Sequence, residues 1–64
     1  MCLSTAYLNK KEEDKVAARY VAKVEVEDGK VRLTDIMGTE TVIEGEVSFV
    51  DLTGGTVVIK TDAA

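Results

Sequence analysis

The chain has 64 residues, a formal net charge of −4, one cysteine, and no histidine, proline or tryptophan. A chain this short buries about 60% of its extended surface, enough for one small core and no second domain. The composition excludes a Ser-His-Asp triad, a histidine proton shuttle, an intramolecular disulfide and a zinc knuckle built within one copy.

From the N-terminus, Cys2 to Leu8 is a β-prone run that ends at Asn9. Lys10-Lys11 is followed directly by Glu12, Glu13 and Asp14, so this charged run reads as a solvated loop and not as a phosphate clamp. Residues 12–22 carry apolar side chains at helical spacing (Val16, Ala17, Tyr20 and Val21). The β-branched run that follows favours a loop or single turn leading into the second strand. Tyr20 to Glu27 and Lys30 to Thr34 alternate apolar and polar residues around Asp28-Gly29, the strongest short-range hairpin signal. A two-residue turn predicts Glu27 opposite Lys30, Val26 opposite Val31, Glu25 opposite Arg32 and Val24 opposite Leu33. One face of this hairpin is then apolar and the other carries opposite-charge pairs.

Met37-Gly38-Thr39 punctuates the chain before a strand at Glu40–Glu44. Gly45 stands inside strand-like sequence, where a sharp bend of a small barrel is expected. Strands at Glu46–Leu52 and Thr56–Thr61 flank the turn at Thr53-Gly54-Gly55, and Asp62-Ala63-Ala64 reads as a frayed tail. The expected fold is all-β: one domain over residues 1–64, a bent sheet or partly open barrel of five to six strands. Val42 and Ile43, and Val57 and Val58, point apolar side chains to both faces, and Val50 and Leu52 alternate against Val47 and Phe49. A second copy is the simplest cover, so a homodimer is expected.

The sharpest chemistry sits at Cys2. Methionine before a small residue is commonly removed, and Cys2 would then offer a thiolate and an α-amine that close a five-membered chelate ring. An α-amine with a pKa of about 7.7–8.0 yields its proton to a metal near neutrality. Two chains on a two-fold axis supply S₂N₂, a donor set that suits Ni(II) or Cu(II). With Met1 retained, the amide nitrogen of Cys2 takes that place at a higher proton cost. On spacing alone, a lone cysteine reads equally as a small buried hydrophobe.

The opening Met1-Cys2-Leu3-Ser4-Thr5-Ala6-Tyr7-Leu8 resembles the start of the CooT-type small nickel-binding proteins. Val21 to Val31, the position of Gly45 and the Val47–Leu52 strand extend the likeness over most of the chain. The resemblance implies a homodimeric β-barrel-like protein that binds one Ni(II) per dimer through Cys2 of each chain. It also implies a role in nickel supply, as in maturation of carbon monoxide dehydrogenase, without catalysis of its own. Proteins of this type have also been labelled RNA-binding. The hydrogenase-maturation chaperones that likewise begin Met-Cys rely on a histidine this chain lacks.

Other candidates read as structure. Met37 fits a core or turn filler, and Glu40, Glu44 and Glu46 fit a solvent face. Gly54-Gly55 lacks the Lys-Ser/Thr and helix of a phosphate loop. Tyr7, Tyr20 and Phe49 are the only aromatics and alternate as core residues would. The rival reading, a small-barrel RNA-binding module, meets an excess of acids, 12 against 8 Lys and Arg. No segment approaches the ~20 apolar residues of a membrane span and no signal peptide opens the chain, so a cytoplasmic protein is expected.

Overall fold

The turn residues cut the chain where the sequence predicts, and the computed structural model describes residues 3–62. β1 (Ser4–Leu8), β2 (Val16–Glu27), β3 (Lys30–Asp35), β4 (Glu40–Glu44), β5 (Glu46–Asp51) and β6 (Thr56–Lys60) form one sheet in the order β4-β3-β2-β1-β6-β5. β1 and β6 run parallel, and every other neighbouring pair is antiparallel. The residues of the expected tail at 63 and 64, like Met1 and Cys2, lie outside the described residues.

The sheet is curled but not closed by hydrogen bonds. Its two edge strands, β4 and β5, are joined by the single residue Gly45. The curl therefore has to bring opposite edges together at that point. Gly45 donates its amide to the Gly29 carbonyl at 2.9 Å. A Cβ there would collide with the Lys60 carbonyl, so the bend expected at this glycine is enforced by backbone crowding.

The hairpin register agrees residue for residue: Glu27–Lys30, Val26–Val31, Glu25–Arg32 and Val24–Leu33. Asp28 and Gly29 take φ of +49° and +74°, as a type I′ turn demands. The ambiguous stretch resolves into a 3-10 turn at Glu13–Lys15, after which β2 starts at Val16, earlier than the expected Tyr20. No helix continues from it, consistent with the β-branched run that follows. β2 is 12 residues long because it serves two partners. Its first part pairs with β1 as far as Val21, and its second part pairs with β3 from Val21 onward.

Ala6, Val21, Val31, Leu33, Val57 and Ile59 are buried together, with Leu8, Ala17, Ala18, Ile43 and Val47 packed around them. Each large side chain in this set contributes about 1.5–3 kcal/mol by leaving water. Val57 and Val58 face opposite sides, yet both are buried, because the register seats Val58 between Tyr7 on β1 and Phe49 on β5. That pair needs no second copy to cover it. Val42, Phe49, Val50 and Leu52 stay exposed, so the apolar excess persists elsewhere. Tyr20 and Phe49 depart from the expected core role, being 61% and 54% exposed. Tyr20 sits at a left-handed corner of β2 (φ +56°), and Phe49 follows the register shift between Val47 and Phe49 on the edge strand. Tyr7 is half-buried.

Leu33→Ala removes one of the fully buried side chains and is expected to lower unfolding free energy by about 2–5 kcal/mol. Val26→Ala, at a position 61% exposed, is expected to cost about 0.5 kcal/mol or less. Urea denaturation of the two variants side by side measures the contrast.

Candidate metal centre

Cys2, the residue expected to hold the metal, lies outside the described residues. The chain that follows it is held from both sides. Ser4 pairs with Val21 of β2, and the Thr5 amide donates to the Gly55 carbonyl at 2.8 Å, just before β6. Leu3 is about one-third exposed. β1 thus enters the sheet at its centre, between the two strands that flank it, with Leu3 at that rim.

Gly55 makes this entry possible. Its φ is +66°, and a Cβ would come within 2.9 Å of the Leu3 carbonyl oxygen and 3.8 Å of the Ser4 Cα. The Gly54-Gly55 doublet, which carries no phosphate-loop chemistry, has this seating role instead. The only sign of it in the sequence was the doublet itself. Asp51 completes the turn: its Oδ1 accepts the Gly54 amide at 2.9 Å.

The remaining candidates stay apart. Glu40, Glu44 and Glu46 are exposed, as expected of a solvent face. Glu44 and Glu46 line an open depression with Gly29, Gly45, Lys60, Thr61 and Asp62, at the bend between β4 and β5. Met37 is 84% exposed on a turn pinned by Asp35, whose Oδ1 accepts the Met37 and Thr39 amides at 2.8 and 3.0 Å. It fills the turn and takes no part in the core. Among the described residues, no three His, Cys, Asp or Glu side chains gather where they could hold a metal ion. The exposed rings of Tyr20 and Phe49 meet one requirement of a base-stacking surface, but several of the chain's few cations stand in exposed pairs with acids. Arg19 lies 3.1 Å from Glu13, while Lys23 and Arg32 lie 3.9 and 3.5 Å from Glu25.

The family model of the CO dehydrogenase accessory protein CooT matches residues 1–60, which take in Cys2 and all six strands. The chain belongs to the CooT family. No curated protein matches the sequence closely enough to count as a relative. Membership in the CooT family fits an accessory role and an enzyme partner. Among the described residues, no helix is long and apolar enough to cross a membrane.

Gly55→Ala is expected to cost about 2–3 kcal/mol, a left-handed conformation plus crowding of Leu3. Gly38→Ala, at φ +87° with nothing within 4 Å, is expected to cost only the conformational part, about 1–2 kcal/mol. Thermal melts of the pair separate the two contributions.

Proposed function

We propose that this chain is a cytoplasmic nickel-binding accessory protein, a carrier or storage form that shares one Ni(II) between Cys2 of two copies. Nickel is its cargo, destined for an acceptor such as carbon monoxide dehydrogenase or a maturation factor, and the chain catalyses nothing itself. The observation that carries this reading is the CooT family match across the N-terminal octet and the sheet behind it.

The donor chemistry fits the ion. With no histidine and a single cysteine in the sequence, the thiolate of Cys2 is the one strong soft donor a chain can offer, and its own amine or amide nitrogen is the nearest second. Thiolate and nitrogen from each of two copies make a tetragonal set of the kind Ni(II) prefers over Mg(II) or Ca(II). Leu3, the residue after Cys2 in the chain, is exposed, which suits an ion that has to leave for an acceptor.

The test is a nickel titration. The parent protein is expected to develop thiolate-to-nickel absorption in the near ultraviolet that saturates at one ion per two chains, and Cys2→Ser is expected to lose it with the fold intact. A Cys2→Ser protein that binds nickel as the parent does would overturn the assignment.

A further inference from the structure

The turn between β3 and β4 is tied down at every residue from Asp35 to Thr39. The Asp35 amide donates to the Thr39 carbonyl and the Gly38 amide to the Asp35 carbonyl, both at 3.0 Å. The Asp35 carboxylate accepts the Met37 and Thr39 amides as well. The Ile36 amide fastens the whole turn to the Tyr20 carbonyl, 3.1 Å away at the corner of β2. What this scaffold presents is apolar: Tyr20, Ile36 and Met37 are 61%, 53% and 84% exposed. Holding large apolar side chains in water adds nothing to the core. It suits an anchor, because a backbone already fixed loses little freedom when a partner covers it.

Area and position select the partner. The three side chains expose roughly 400 Å², a size at which a surface patch is often functional. A lasting pair of proteins needs about 800 Å² from each side, so a patch half that size suits a contact that forms and breaks. Val21 pairs with Ser4 on one side and Asp35 on the other, which sets Asp35 two strand spacings, about 10 Å, from Ser4. The turn therefore leaves the sheet at the end where β1 begins, and β1 is the strand joined to Cys2 through Leu3. For a carrier, the partner that comes and goes at that end is the acceptor of the cargo. The CooT family is described as accessory to CO dehydrogenase.

We propose that Tyr20, Ile36 and Met37 are the anchor by which this chain docks on nickel-free carbon monoxide dehydrogenase, in an apolar recess of the enzyme's surface. The inference deepens the nickel-carrier reading and rests on it for its purpose. Met37 is the most exposed of the three, and its unbranched thioether adapts to a recess of irregular shape. Arg19 and Glu40, next to the patch in the chain, are exposed and of opposite sign, as in the polar rim of an interface.

Binding of the nickel-free chain to immobilised nickel-free carbon monoxide dehydrogenase from the same host, followed by biolayer interferometry, tests this. The parent is expected to bind, and Met37→Lys to bind about tenfold more weakly or worse. Met37→Leu is expected to stay within about twofold of the parent, because an apolar side chain of similar volume fills the same recess. Val26→Lys is the control: it makes the same change of charge at a position 61% exposed beside the hairpin turn, and is expected to leave binding unchanged. Circular dichroism checks that each variant keeps its strands. A parent that does not bind the enzyme overturns the proposal, as does a Met37→Lys protein that binds like the parent or a Val26→Lys protein that loses as much. Sedimentation of each variant alone tests the rival occupant: a Met37→Lys chain that associates with itself less than the parent assigns the patch to a contact between copies and overturns the proposal. The nickel reading fails separately, because docking is measured without the ion. Docking that depends on Met37 in a chain that takes up no nickel through Cys2 refutes the metal site and leaves the anchor standing.

Discussion

Most of the architecture follows from one constraint on β2, which has to hydrogen bond to β1 with its first half and to β3 with its second. A straight strand cannot hand over between neighbours on its opposite sides without a corner. The corner is visible as register shifts on both flanks of Val21 and as a left-handed Tyr20, whose carbonyl accepts the Ile36 amide at 3.1 Å. Such irregularities sharpen the right-handed twist of a strand. Here they roll the sheet until β4 and β5 lie close enough for one glycine to connect them. Among the described residues the handover also leaves the β1 side of β2 without a strand beyond Val21, so the corner that makes the core leaves an unpaired edge there.

β6 is the counterpart of that corner. It lies between β1 and β5 and is buried on both faces, with Thr56, Val57, Val58 and Ile59 all withdrawn from water. Its parallel pairing with β1 is fastened at each end. Gly55 receives the Thr5 amide at the start, and at the finish Asn9 donates its amide to Ile59 at 2.8 Å while its side-chain oxygen accepts the Thr61 amide at 3.0 Å. Asn9 reaches this position with φ of +67°, a conformation asparagine tolerates better than most residues. The same loop that reads as a solvated charge run thus begins with a residue that locks two strands together.

Local signals were legible in the residues. Asp28-Gly29 with alternation on both sides specified a hairpin and its register, and Gly45 in a strand context specified a bend. Long-range relations were not. The parallel β1–β6 pair joins residues about fifty positions apart, and no periodicity announces which distant strand a central strand will choose. The early start of β2 was masked because Val16, Ala17, Tyr20 and Val21 fit a helical face as well as an irregular strand. Exposure was misjudged for Tyr20 and Phe49 for a related reason. Alternation assigns a face, but how well a face is covered depends on curl, which is a property of the whole sheet. The Cys2 reading came from the resemblance of the N-terminal octet, not from any clustering of donors.

Under the shared-site proposal, the scarcity of soft donors has a thermodynamic consequence. One copy supplies at most a thiolate and a nitrogen, so a four-donor site exists only in the paired state. Metal binding and pairing are then linked. Whatever factor by which nickel tightens the association of two copies, pairing tightens nickel binding by that same factor. In the paired state a small sheet without a disulfide gains stability from its partner and from the shared ion, and loses both together when an acceptor removes the ion. Release to an acceptor is coupled in this way to loosening of the pair, without any moving domain in a chain too short to contain one.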